Sequence, residues 1–587
     1  MDILVVIVYF AFLVAIGWLF RSFTSSTSDY FRGGGKMLWW MVGATAFMTQ
    51  FSAWTFTGAA GKAFTDGFSI VILFFANAVG YFCNFLFFAA KARQMRVVTP
   101  IEGIRMRYGK VNEQVFTWAT MPSSILQAAV WLNGLAIFVS AVFDISISHT
   151  IIATGLVVVI MSVTGGAWAV IASDFMQMVI IMSVSFVASV VAVVKSGGIT
   201  PIFEKGLPEM PIAGQNINYV FLFTAWVIAI FAKQFFSTNN MIGSYRYICA
   251  KDTKNARKAA LLACCLMFVG PLIWFIPAWF VAGKYPDPST WGLDMLGKSI
   301  KNATYYVFVR KELPVGMIGL MMSAVFAATM SSMDSALNRN AGIFVKNFYK
   351  PILNKNADEK NLLVVSKIST LVFGAIIIFA GLFLNNLKGT NLFEMMMMIS
   401  TLVAFPILLP SLLGFFVKKT PDWAGWGTIL VGMGVSYFIA FVVTPEMMQN
   451  ILGLAQPLTS REFGDMRSVT LGIVLHLGIT MTFYLMSQLF YKGHSEERQK
   501  EVDQFFYNTS TEVIAEHDDE VEVDNKQRMM LGRLIQAGGA GITALLLVPN
   551  PLWGRIVFIA VGGIVFFVGT LLVKSVTIAE KKTIEIK

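Results

Sequence analysis

Long apolar runs alternate with short polar or basic breaks along almost the whole chain. Runs bounded by charge or by Gly/Pro clusters fall at 2–20, 38–63, 67–90, 116–142, 149–164, 167–195, 218–242, 258–282, 314–345, 363–386, 392–417, 423–443, 469–490, 531–549 and 552–575. Most approach or exceed the roughly 20 apolar residues that an α-helix needs to cross a bilayer. The pattern therefore predicts an all-α polytopic membrane protein of about fifteen spans.

Composition removes the other broad classes. Of 587 residues, 56% are hydrophobic and 13% charged, against about 45–50% and about 25% in soluble domains. A soluble enzyme, a disordered chain and a disulfide scaffold are excluded. Cys83, Cys249, Cys264 and Cys265 lie in apolar segments or at their edges, and no CxxC occurs, so neither a disulfide framework nor a cysteine metal site is expected. The first run starts at Asp2 without a basic flank or a small-residue cleavage site, which reads as a retained span.

The net charge of +11 follows from topology. Basic residues gather at Lys91, Arg93, Arg96, Arg105, Arg107 and Lys110, at Arg246, Lys251, Lys254, Arg257 and Lys258, and at Arg339, Lys346, Lys350, Lys355 and Lys360. Each group follows an odd-numbered span. With the N-terminus outside, all three face the cytoplasm, as do Lys418, Lys419 and the C-terminus. The basic loop 284–313 is the exception. Nucleic acid is not an expected partner. The charged stretch 492–530 reads as a solvated cytoplasmic linker, with a regulatory interaction as the alternative. No phosphate loop, HExxH, paired-carboxylate hydrolase pattern or Gly-rich nucleotide fingerprint stands out, so nothing suggests ATP hydrolysis and no enzyme is expected.

Three segments carry candidate chemistry. The second run, from Gly43 to Gly61, mixes small residues with Thr45, Thr49, Gln50, Ser52, Thr55 and Thr57. It fits either a small-residue packing helix or a helix unwound near Gln50, whose freed carbonyls would hold Na⁺. In the ninth run, Ala328, Ser331, Ser332 and Ser335 share one helical face, with Asp334 among them. They are helix–helix glue or ion ligands. Asp174 is an intramembrane carboxylate, either structural or on an ion or proton path. Oxygen-only surroundings suit an alkali cation.

These segments resemble the sodium:solute symporter family. SDYFRGGGK (28–36) is similar to its D-[FY]-[FL]-x-[AG]-G-[RK] loop, and GATAFMTQFSAW (43–54) to its first core helix. TPIEGIRMRYG (99–109) resembles its T-x-x-E-x-x-x-x-R-[FY] loop. YRYICAKDTKNARKA (245–259) resembles the loop after its sixth core helix, with Tyr245 where Gln is usual. VDQFFYNTSTEV (502–513) resembles a late cytoplasmic motif, so the resemblance spans about residues 1–520.

The resemblance implies a LeuT-like fold of two inverted five-helix repeats at 38–195 and 218–417. An N-terminal helix and loop (1–37) would precede them. Two peripheral helices (418–490), the charged linker (491–530) and two C-terminal helices (531–587) would follow. It implies a main Na⁺ site of Met48, Phe51, Ala328, Ser331 and Ser332, and a second at Asp174, Ser331, Asp334 and Ser335. The implied solute residues are Gln50, Ser52, Trp54, Thr55, Asn77, Gln127 and Asn240. Because 116–142 lacks Arg and Lys, a neutral sugar or polyol is expected over an anion. Alternatives are a carboxylate or amino acid symporter, a proton-coupled transporter, or a membrane sensor. The implied setting is the bacterial inner membrane, as a monomer.

Overall fold

The computed structural model describes residues 33–164, 167–207, 216–387, 391–514 and 520–586, with positions 5–7, 9 and 11 of the first run. The rest of run 2–20, and residues 28–32 of the loop motif, lie outside the described residues. Among the described residues, twelve helices are long and apolar enough to cross a membrane. Every backbone group in a bilayer must find an internal partner, and helices meet that demand locally.

In chain order the bundle begins with α1 (Trp39–Thr49) and α2 (Ala60–Asp66), separated by a break and a π-helical turn at Thr55–Ala59. It continues with α3 (Ser69–Gln94), the short α4 (Pro100–Tyr108), α5 (Lys110–Phe143), α6 (Ile147–Thr164) and α7 (Ala167–Lys195). The second half holds α8 (Tyr219–Thr238), α9 (Thr253–Lys284), the short α10 (Thr304–Glu312), α11 (Met317–Leu353), α12 (Glu359–Asn385) and α13 (Leu392–Leu413). Last come α14 (Trp423–Phe441), α15 (Glu462–Phe490), α16 (Glu496–Ser510), α17 (Glu520–Ala544) and α18 (Leu552–Ile586).

Each half opens on an interrupted helix. α1 stops at Thr49, and α8 stops at Thr238 before a turn and a 3₁₀ segment, Gly243–Cys249. Such irregular backbone persists in a membrane only inside protein or along a cavity. The run expected as one helix over 218–242 therefore ends early. Asn239 Nδ2 donates to Gly80 O (3.0 Å), and Asn240 Oδ1 accepts from Gly243 N (2.6 Å), so the two asparagines stitch the turn.

α11 is the axle of the bundle. Its most apolar stretch is 94% buried, against 33% for α12, which presents much of its surface to lipid. It packs on α1, α5, α6, α7 and α12. α1 lies close against α9, where a Cβ on Gly43 would stand 2.8 Å from Ala259 O. Small residues of this kind let membrane helices approach.

The basic segments share one end of the bundle. Arg93 donates to Ala250 O (2.5 Å), Arg107 to Thr420 Oγ1 (2.5 Å) and Thr99 to Asn347 Oδ1 (2.8 Å). The stretch expected as a solvated linker is docked there instead. Its helix α16 buries Val502, Phe505 and Thr509, and Arg498 meets Asp422 at 3.0 Å and Met106 O at 2.9 Å. Beyond it, Lys251 pairs with Asp524 at 2.8 Å. Spacing of three and four residues puts those buried positions on one face, and that face finds a hydrophobic bed.

Candidate ion and solute site

The break in the first core helix comprises Gln50, Phe51 and Ser52. Gln50 N and Phe51 N still reach Phe47 O (3.0 Å) and Met48 O (3.1 Å), after which the helical ladder lapses. Aromatic packing holds the bend. The Phe51 ring, fully buried, stacks on Phe47 at 5.1 Å and meets Trp274 and Phe56 edge-on at 4.8 and 5.4 Å. On the far side of the break, Ala53 N donates to Thr329 Oγ1 of α11 (3.1 Å), and Ser52 O accepts from Thr55 N (2.9 Å).

Ser332 of α11 lies against this break. Its Oγ is 2.9 Å from Phe51 O, 3.1 Å from Met48 O and 3.2 Å from Ala328 O. A hydroxyl has one proton to give, so lone pairs of at least two carbonyls remain directed toward the same point. Ser331 Oγ, one residue earlier, is buried without a hydrogen-bond partner. Four of the five residues implied for the main Na⁺ site thus supply neighbouring oxygens, and the fifth, Ser331, carries an unspent one. The donor set is carbonyl and hydroxyl oxygen, which suits a hard alkali cation.

A second polar cluster adjoins it. Thr45 Oγ1 donates to Asp174 Oδ2, Ser162 Oγ donates to Asp334 Oδ1, and Arg246 Nη2 donates to Ser335 Oγ. Asp174 Oδ1 is buried without a partner, and the Ser331 hydroxyl stands beside that carboxyl. Arg246 is near enough to act electrostatically on both carboxylates. The implied second set, Asp174, Ser331, Asp334 and Ser335, is therefore gathered in one network, with a guanidinium in it that sequence reasoning assigned to a loop.

Toward the basic end, a cavity opens below the break. Gln50, exposed in an otherwise buried stretch, and Gln127 line it. So do Thr120, Ser123 and Ser124 of α5, Lys233 and Ser237 of α8, Arg339 of α11, and Ser400 and Phe405 of α13. Other residues implied for the solute are not on its wall. Ser52 Oγ accepts from Trp54 N (3.2 Å), and Thr55 Oγ1 is buried without a partner. Trp54 donates Nε1–H to Leu392 O (3.3 Å) and stacks on Phe393 at 5.6 Å. Asn77 is buried on α3, and Asn240 is spent on its own turn.

The Trp54–Leu392 contact closes the bundle on the side away from the basic segments. Beyond it, Lys62 pairs with Asp66 (2.5 Å) and Asp465 (3.1 Å). The sequence reading missed Lys62, Asp465, Lys233, Arg246, Arg339 and Thr329. A lone lysine inside an apolar run was the available signal for Lys233.

The chain is similar to known proteins over most of its length. The chain is 25% identical over 471 residues to a sodium/glucose cotransporter of Vibrio parahaemolyticus, covering 75% of this chain and 85% of that one. It is 24% identical to sodium/myo-inositol cotransporter 2 of Rattus norvegicus, covering 74% and 68%. The solved structure of a Na⁺-coupled sialic acid symporter, in a substrate-bound outward-open state, superposes with a TM-score of 0.62 at 20% identity, covering 81% of this chain and 98% of that one. That likeness carries the LeuT-like fold. The model of the sodium:solute symporter family matches residues 30–432. The chain belongs to the sodium:solute symporter family.

Proposed function

We propose that this chain imports a small, hydroxyl-rich solute together with Na⁺ by alternating access. The observation that carries the reading is the cluster of Met48 O, Phe51 O and Ala328 O around Ser332 Oγ at a helix break. Na⁺ bound there, with Ser331 as a further ligand, ties α1 to α11 and favours the conformation in which the break is ordered. An ion shifts a conformational equilibrium only through such a difference in affinity between states. Asp174, Asp334 and Ser335 with Ser331 form a second cationic position, for a further Na⁺ or a proton. The inward gradient and the membrane potential, about 2.3 kcal/mol per charge per 100 mV, supply the driving force.

The basic end is taken as cytoplasmic, with the N-terminus outside. In this conformation the solute cavity then opens inward, while Trp54, Phe393 and the Lys62–Asp465 pair close the outer side. Trp54 serves as a lid. The sugar and inositol relatives support a polyhydroxylated solute. Lys233 and Arg339 on the cavity wall are compatible with a carboxylate on that hydroxyl-rich solute.

The test is solute uptake by reconstituted vesicles under an imposed Na⁺ gradient, a K⁺ gradient or a pH gradient. Accumulation that requires Na⁺ is expected. Uptake that follows pH and ignores Na⁺ would mark a proton-coupled carrier, and solute binding without accumulation would mark a sensor.

A further inference from the structure

We infer that the transported solute is an anion: Lys233 and Arg339 make the inward cavity a binding chamber for a hydroxylated carboxylic acid of sugar size. This rests on the reading that the cavity is the solute's path. The two cations come from different helices, α8 and α11, and line one cavity. Lys233 is 4% exposed, and its ammonium has only the amide oxygen of Gln234 at 3.5 Å. Arg339 donates from Nη2 to Ser124 Oγ at 2.9 Å. Neither makes an ion pair with a carboxylate among the described residues, and no Asp or Glu lines the cavity.

Positive charges on the wall of one cavity, one of them deeply buried, are costly unless an anion meets them. The planar guanidinium matches a carboxylate in a two-pronged hydrogen bond, and the ammonium adds a point charge on the wall of the same cavity. The remaining polar wall is amide and hydroxyl, from Gln50, Gln127, Ser123, Ser237 and Ser400. Those groups pair with hydroxyls along a carbon chain, which inorganic anions lack. The absence of a cation from 116–142, which pointed to a neutral solute, loses its force because the charges arrive from other helices.

The experiment uses the full-length protein in lipid nanodiscs. Thermal stability is measured with glucose, glucuronate, gluconate, acetate or inorganic phosphate, each in Na⁺ and in K⁺, since a ligand that binds the native state stabilises it. Glucuronate or gluconate is expected to raise the melting temperature in Na⁺ while glucose does not. Lys233→Gln and Arg339→Gln are expected to raise the half-saturating acid concentration about tenfold or more, Arg339→Lys by less. All three should keep the wild-type response to Na⁺ alone, which shows that they fold. Equal action of glucose and glucuronate overturns the inference, as does an effect of phosphate or acetate equal to that of the sugar acids. Stabilisation by Na⁺ but by none of the solutes also overturns it and leaves the sodium reading intact. Stabilisation by the acids without any Na⁺ effect supports the anion site and overturns sodium coupling.

Discussion

Ser332 Oγ stands 2.9 Å from the carbonyl oxygen of Phe51, across the gap between a central helix and a broken one. The contact joins the two inverted halves of the fold at the depth where both backbones and side chains offer oxygen. Na⁺ is the coupling ion of the family, and a dehydrated cation bound here would meet the carbonyl oxygens of Met48, Phe51 and Ala328.

Asp174→Asn should change the ion-to-solute ratio or lower uptake severalfold while leaving the protein folded. The carboxylate has one oxygen bound by Thr45 and the other buried without a partner, so an amide keeps the shape and removes the charge. Charge moved per solute in reconstituted vesicles is the measurement. An unaltered ratio at wild-type rate would make Asp174 a structural group.

Lys62→Met should open the side away from the basic segments. The lysine holds Asp66 and Asp465, whose side chains are only 1% and 8% exposed. Removing one partner of a buried pair costs about 3–5 kcal/mol, and here it leaves two carboxylates facing each other. With the four native cysteines replaced, Thr55→Cys is expected to react at least tenfold faster with an impermeant thiol reagent from that side when Lys62 is Met. Equal reactivity would mean that the pair does not hold the closure.

Only part of this was legible in the sequence. The break at Gln50 could be read because Thr49, Gln50 and Ser52 interrupt an apolar run with groups that satisfy freed backbone. The serine stripe at Ser331, Ser332 and Ser335 could be read from helical periodicity. The break after Thr238 could not, because Asn239 and Asn240 sit near a span boundary, where capping and solute binding demand the same residue. The cavity's charge was hidden for a different reason. Lys233 was absorbed into an apolar run and Arg339 into a basic segment, and only packing brings them together. The docked α16 had a signal, the three- and four-residue spacing of Val502, Phe505 and Thr509, but the charges around it dominate its composition.

Glu312 gives a pH signature on the side away from the basic segments. Burial pushes its carboxyl up, but hydrogen bonds from Lys284 (2.8 Å), Tyr285 (2.5 Å) and Lys195 (3.0 Å) hold it below its ordinary 4.5. A depressed carboxyl contributes stability above its unfolded value and loses it as pH falls through the folded one. The melting temperature of Glu312→Gln should therefore lie below wild type at pH 7, by about 1 °C if the loss is near 1 kcal/mol. The gap should narrow only below pH 4.5. A gap that is constant down to pH 3 would show that packing, and not charge, accounts for it.

The most direct test of the account is the Na⁺ dependence of uptake by Ser332→Ala in reconstituted vesicles, with melting temperature as the check on folding. Removing one ligand oxygen is expected to raise the half-saturating Na⁺ concentration about tenfold or more, equivalent to about 1.4 kcal/mol or more, with the protein still inserted and folded. A folded Ser332→Ala protein with wild-type Na⁺ half-saturation would contradict the account.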